Sequence, residues 1–233
     1  MLIDVLRRRF IKTRTFENLK KTHQELVDVA RASTGSKSEY FQDLWIIANT
    51  NSMKNGFFVE FGATDGIGAS NTWLLEKKYG WQGILAEPSR TNFRSLNRNR
   101  NCIKDPRAVW DKTGERLLFS EREENYLSSV KENSNGGAVR DEYYVESISL
   151  NDLLIEHKAP IKIDYISVDI EGSELRVLKK FLSETKFEVE YFTIEHNWRK
   201  DKKDLILLMQ SHNYVCVMEN LSYRDLFFMK SEF

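Results

Sequence analysis

The stretch Phe57 to Gly68, FFVEFGATDGIG, constrains this chain more than any other. An apolar run of β-forming residues ends on a carboxylate, Glu60, and breaks into a loop with Gly62, Gly66 and Gly68 before helix-forming residues resume at Asn71. Glycines accept positive φ and leave room where a side chain would collide, so this order brings backbone close to a nucleotide-like ligand. The glycines are spaced GxxxG, and no GxGxxG is present. That spacing points away from a dinucleotide loop and toward a loop for S-adenosylmethionine (SAM), and hence toward a methyltransferase.

At 233 residues the chain can bury a substantial core, and one large α/β domain is the expectation. Lys+Arg 35 balances Asp+Glu 35, so no excess of positive charge favours a nucleic-acid partner. Cys102 and Cys216 lie far apart in apolar neighbourhoods, which argues against a disulfide framework or a cysteine-rich zinc site and fits a reducing compartment. No apolar run approaches the roughly 20 residues needed to cross a bilayer. The N-terminus, MLIDVLRRRFIK, lacks the continuous apolar segment of a secretion signal, so a cytoplasmic protein is expected. Arg7, Arg8, Arg9 and Lys12, interleaved with Leu2, Ile3, Val5, Leu6, Phe10 and Ile11, leave two readings open. One is a basic amphipathic helix resting on an anionic membrane surface; the other is an ordinary peripheral helix or a protomer contact.

Residues 1–56 read as a helical extension and 57–233 as the main domain. Glu17 to Ala32 is helical in pattern, and a break follows at STGSKS. Ser36 with Glu39 has the spacing of a capping box, ahead of Phe41, Leu44, Trp45 and Ala48 at helical intervals. From Phe57 onward strands and helices alternate: FFVEF, a helix near Asn71 to Tyr79, GILAE, a helix around Arg90 to Asn97, then a strand near Asn101 to Ile103. This alternation implies parallel strands with helical crossovers. AVWDKTGERLLFS reads as a hairpin, and the polar stretch Glu121 to Arg140, with Gly136 and Gly137, as a mobile loop or lid. The pattern resumes with the strand YVESISL, the helix NDLLIEH, the strand Asp164 to Asp169, a helix bearing Leu175, Leu178, Phe181 and Leu182, and the strand Val189 to Glu195. Asp204 to Ser211 is helical, and YVCVMEN and RDLFFMK, separated by LSY, form a closing antiparallel hairpin.

Ligands of an open parallel sheet bind beyond the carboxyl ends of its strands. Glu60, Glu87, Asp105, Asp169 and Glu195 with His196 all stand there. Glu60 can organise the glycine loop and face the cationic amino-acid end of SAM, or serve as a helix cap. Glu87 falls where an acid accepts hydrogen bonds from two ribose hydroxyls. Asp105 with Ala108 can border the adenine, although the turn chemistry of DPR accounts for Asp105 equally well. Asp169 can oppose the sulfonium charge, accept a substrate proton or bind a metal. Glu171 fits the first turn of the next helix, where the macrodipole favours a carboxylate. His196 titrates near neutrality and is a candidate base. Alternatively Asp169, Glu195 and either His196 or Asn197 hold a divalent cation such as Mg or Mn that acidifies an acceptor hydroxyl. Trp81, Trp110, Trp198 and Tyr126 are either sugar-stacking residues or core packing. His23, His157 and His212 lack such context and receive no role.

These residues resemble the FkbM family of SAM-dependent methyltransferases. FVEFGATDGIGASNT is similar to that family's SAM loop, AVWDKTGERLLF to its stretch after the third strand, SISLNDLL to the segment before the fourth, and DYISVDIEGSELRVLKKF to its acid, glycine and helix signature. The resemblance runs from about Phe57 to Asn197. It implies a Rossmann-like α/β fold with a mostly parallel seven-stranded sheet and a C-terminal antiparallel hairpin. It also implies that Gly62, Ala63, Thr64, Asp65, Gly66, Glu87 and Pro88 contact SAM, and that the reaction is O-methylation of a hydroxyl, commonly on a glycan sugar or a natural product. SEYFQDLW resembles a segment ahead of the SAM loop in some members, which implies that Gln42 and Asp43 reach the cofactor. The sequence departs from many members at Thr64 and Asp65. Two rival classes remain: a nicotinamide-dependent oxidoreductase, and a non-catalytic domain that keeps the fold for binding protein or glycan.

Overall fold

The computed structural model describes residues 34–123, 128–131, 138–197, 200–219 and 224–231. The chain divides into two units, Met1–Ser36 and Lys37–Phe233. The helix expected over Glu17 to Ala32 and the basic segment near Arg7 lie outside the described residues.

The run FFVEF becomes β1 (Phe57–Phe61), and its alternation decides the layering. Phe57, Val59 and Phe61 pack on one side of the sheet and Phe58 on the other. A strand buried on both faces reads as a nearly continuous apolar run. On the first side lie α4 (Leu150–Glu156), α5 (Glu174–Glu184) and α6 (Lys202–Ser211), through Leu153, Leu178, Phe181, Leu205 and Met209. On the other lie α1 (Gln42–Asn49), α2 (Trp73–Tyr79) and α3 (Arg90–Asn99), through Ile46, Leu75 and Leu96. Burying a Leu or Phe side chain contributes about 1.5–3 kcal/mol, so this double-sided core carries much of the stability.

β1 pairs in parallel with β2 (Gln82–Ala86) and with β8 (Lys162–Val168). The sheet continues to β3 (Ile103–Asp105) on one side and, on the other, through β9 (Glu188–Glu195) to β11 (Asp225–Lys230) and β10 (Tyr214–Val217). β11 runs antiparallel to both β9 and β10, giving the expected closing hairpin. The chain leaves β1 toward β2 and returns to β8 on β1's other edge, so the strand order reverses at β1. Ligand clefts open at such points.

Three expectations change. The capping box at Ser36 and Glu39 does not start a helix: Phe41 takes φ 60°, α1 begins at Gln42, and the Gln42 Oε1 accepts the Tyr40 N–H at 2.9 Å. AVWDKTGERLLFS is not a hairpin. Its strands β4 (Ala108–Trp110) and β5 (Arg116–Arg122) flank β7 (Val139–Ser149), β4 parallel to it and β5 antiparallel. The end of β7 inserts between them, with Gly114 N–H donating to Ser147 O and Ser147 N–H to Glu115 O. Part of the expected loop at Glu121 to Arg140 is also strand, because β5 continues to Arg122, pairs with β6 (Ser129–Val130), and β7 starts at Val139. Gly136, Gly137 and Tyr126 lie outside the described residues.

Candidate cofactor and methyl-transfer site

Beyond β1 the chain turns at Gly62, whose φ is +79°. The turn is tied to the next strand, with Gly62 N–H and Ala63 N–H both donating to Ala86 O, at 3.1 and 3.3 Å. Glu60 fixes the far side of the loop. Its carboxylate accepts from Asn71 N–H at 2.7 Å, Ser70 Oγ at 3.0 Å and the Thr72 hydroxyl. Burial pushes the Glu60 carboxyl above its ordinary value, and the nearby Arg100 and these donors oppose that shift. Arg100, buried beneath the loop, donates to Gly66 O at 3.1 Å, Ser70 Oγ at 3.0 Å, Thr72 Oγ1 at 3.0 Å and Glu76 Oε2 at 2.5 Å. Arg100 was not singled out from the sequence, since it stands at the end of a polar helix, RTNFRSLNRN.

Glu87 follows β2. One oxygen accepts Thr64 N–H at 2.7 Å and the other Ser89 N–H at 2.8 Å, which joins the glycine loop to the start of α3. Burial raises its carboxyl to about 7, against the pull of those two amides. Glu60, Gly62, Ala63, Thr64, Asp65, Glu87, Pro88 and Ala108 all line one cleft of about 690 Å³. Gly66 and Asp105 do not. A Cβ on Gly66 would lie 2.5 Å from Leu96 Cδ1 and 2.6 Å from Arg100 Cγ, so that glycine serves the packing behind the loop. Asp105 is held in a clamp: Arg107 donates three times to it, from its backbone N–H at 2.9 Å and its guanidinium at 3.0 and 2.7 Å, and His157 Nε2 stands 2.8 Å away. These contacts match the turn reading of DPR, with His157 added, and Ala108 alone of the pair lines the cleft.

The same cleft also carries the acids of the later strands. Asp169, Glu171 and Glu195 line the cleft, with an oxygen of each within 4.8 Å of the others. Burial raises Asp169 well above the ordinary range, and the neighbouring Glu195, Glu171, Asp225 and Glu174 add to it; Glu195 is pushed to about 8, again by burial first. Glu171 sits at φ 57° in the turn after β8. Glu174 braces that turn, accepting Ile170 N–H at 3.1 Å and Gly172 N–H at 3.0 Å.

His196 is not part of this group. It is only 1% exposed and absent from the cleft lining, and its N–H donates to Arg224 O at 2.8 Å. Burial lowers its imidazole to about 4, with Lys202 contributing. Asn197, the next residue, does line the cleft. Gln42 and Asp43 are also placed elsewhere: Gln42 donates to Asp225, and Asp43 Oδ1 accepts Leu44 N–H at 2.7 Å. Of the aromatic candidates Trp110 lines the cleft, whereas Trp81 is core and donates from Nε1 to Met53 O at 2.9 Å; Trp198 and Tyr126 lie outside the described residues.

Sequence reasoning missed Asn71, Asn92 and Ser129. All three line the cleft, each at least nine-tenths buried, and Asn71 Oδ1, Asn92 Nδ2 and Ser129 Oγ find no hydrogen-bond partner among the described residues. Buried polar groups are nearly always paired, so their concentration around one cleft marks where a ligand's own groups complete the bonding. The spacing signal for Asn71 was its place at the end of the glycine loop; Asn92 and Ser129 had none.

The family model described as the methyltransferase FkbM domain matches residues 60–216. No curated protein matches the chain. Among solved structures, an FkbM methyltransferase from Methylobacillus flagellatus KT is similar at TM-score 0.50 and 17% identity, over 75% of this chain and 43% of that one. The N-terminal domain of human METTL16, in complex with SAH, matches at TM-score 0.48 and 12% identity, over 86% of this chain and 77% of that one. A precorrin-6y C5,15-methyltransferase from Geobacter metallireducens GS-15 matches at TM-score 0.44 and 8% identity, covering 80% of this chain and 85% of the other. The chain thus spans less than half the length of the FkbM structure it matches, with the Rossmann-like fold of SAM methyltransferases in common. The FkbM model covers more than half of the sequence, including both the glycine loop and the acids of the later strands, and the chain belongs to the FkbM methyltransferase family.

Proposed function

We propose that the protein transfers the methyl group of SAM to a hydroxyl oxygen, that of a sugar in a glycan or glycoconjugate. The observation that carries this reading is that one cleft is lined both by the glycine loop, Gly62 to Thr64 with Glu87, and by the carboxylates Asp169 and Glu195. The cradle fits SAM. Glu87 keeps lone pairs for a ribose diol beyond its two backbone amides, and Asn71 Oδ1 is a buried acceptor suited to the cofactor's ammonium. SAM supplies an electrophilic methyl on a sulfonium.

In this reading the acceptor oxygen attacks the methyl carbon in line with the departing sulfur. The O–C bond forms as the C–S bond breaks, and S-adenosylhomocysteine leaves as a neutral thioether. Asp169 and Glu195 take the hydroxyl proton. Their crowding favours this, since burial beside like charges makes each carboxylate a stronger base than in water. A divalent cation on the same carboxylates is a second means of acidifying the hydroxyl. Holding both reactants in line can contribute roughly 7–11 kcal/mol toward the barrier. The sugar acceptor is supported by family likeness and by the hydrogen-bonding groups of Glu39, Ser129, Asn197 and Arg224 on the cleft lining.

Isotope-labelled SAM offered with a panel of mono- and oligosaccharides tests the reading. Labelled methyl ether should form with wild type and fall at least a hundredfold with Asp169→Asn. Transfer to nitrogen or carbon acceptors alone would overturn the hydroxyl assignment.

A further inference from the structure

We propose that Asp169, Glu171 and Glu195 form the seat of one divalent, oxygen-preferring cation, Mg²⁺ or Mn²⁺; the use assigned to it rests on the methyl-transfer reading. An oxygen from each carboxylate lies within 4.8 Å of the other two. Ligand oxygens around an octahedral ion at about 2.1 Å stand roughly 3–4 Å apart, so slight closure of the three side chains completes the geometry. The donors are all carboxylate oxygens, which selects hard ions over zinc or copper.

A second observation points to a missing ligand. Glu195 is 8% exposed, and its Oε2 has no hydrogen-bond partner among the described residues. A buried carboxylate oxygen without a donor is costly, and a cation satisfies it directly. The neighbouring acid Glu174 is already committed, since its Oε1 holds the N–H groups of Ile170 and Gly172. Of the two third ligands that the sequence offered, His196 lies outside the lining and Asn197 on it, and Glu171 joins Asp169 and Glu195 in the acidic cluster. Stripped of their protons by a bound cation, the three carboxylates would carry three negative charges, which a divalent ion and the SAM sulfonium would together neutralise. An ion held there would acidify the acceptor hydroxyl, whose proton would pass to Asp169 as the O–C bond forms and the C–S bond breaks.

Titrating MnCl₂ into the EDTA-stripped full chain, followed by calorimetry and by the spin-resonance signal of free Mn²⁺, tests the site. One Mn²⁺ should bind per chain, Glu195→Gln and Glu171→Gln should each weaken it at least tenfold, and His196→Gln should leave it unchanged. Thermal unfolding guards against a folding defect: the metal-free Glu195→Gln variant should melt no lower than wild type, and MnCl₂ should raise the midpoint of wild type alone. Absence of saturable binding at millimolar MnCl₂, or equal binding by Glu195→Gln, overturns the proposal. Undiminished methyl transfer in excess EDTA overturns it while leaving the methyl-transfer reading intact. Binding of Mn²⁺ by a chain that ignores SAM supports the site and removes that reading instead.

Discussion

Gly62 and Asp169 meet backbone to backbone: a Cβ built on Gly62 would stand 1.6 Å from the Asp169 carbonyl oxygen. The turn proposed to receive the cofactor and the acid proposed to stand at the methyl end are therefore one piece of geometry. Asp169 N–H donates to Phe61 O at 3.2 Å, which holds the two strand ends in register. A change in either strand end moves both halves of the cleft.

Gly62→Ala should destabilise the protein by at least about 3 kcal/mol, since it adds a backbone collision to the strain of positive φ. Denaturant unfolding measures this directly. A loss below about 1 kcal/mol would show that β1 and β8 part more easily than the register indicates.

Glu87→Gln should weaken SAM binding about ten- to a hundredfold in calorimetry at pH 8. Glu87 is held at about 7, and its ionised form is the better acceptor for the ribose hydroxyls. SAM affinity of the wild type should accordingly rise as pH increases from 5.5 to 7 and level off above about 7.5. The variant should lose that slope, and a slope retained in Glu87→Gln would assign the titration to another group.

The double-sided strands were legible because burial on both faces leaves an apolar run, and the acids at their ends because ligands gather there. The small sheet was hidden for the opposite reason. β7 is exposed along its first half, and its partners β4 and β5 are set by non-local pairing that no local pattern encodes. His196 illustrates a finer limit. Successive residues of an extended chain point to opposite sides, so with Glu195 turned into the cleft the next side chain faces away. The strand-end rule pointed to this pair of residues and left open which of them faces the cleft. Glu171 reaches the cleft by a positive-φ turn, which sequence spacing does not signal.

Arg100→Met should destabilise the chain by about 3–5 kcal/mol, because it leaves Glu60 and Glu76 without their buried cation. Arg100→Lys keeps the charge and loses the fork that reaches Gly66, Ser70 and Thr72 together. The lysine variant should recover part of the stability yet show a KM for SAM raised at least tenfold, with kcat changed less. Equal losses in kcat and KM would move Arg100 from shaping the loop to supporting the whole domain.

His196→Gln should leave turnover within about threefold of wild type, against the roughly hundredfold or greater loss that a general base would suffer. Burial holds the imidazole neutral at about 4, so no histidine inflection should appear near pH 6.5 in kcat/KM. The stability sign follows from the same shift. The unfolded imidazole takes a proton below about 6.5 while the folded one resists until about 4, so the stability lent by a neutral His196 is present above about 6.5 and is lost as pH falls through about 4. Unfolding midpoints of wild type and His196→Gln measured from pH 7.5 to 4 should therefore converge or cross on the acid side. A turnover inflection at pH 6.5 that vanishes in the glutamine variant would return the histidine to the reacting centre.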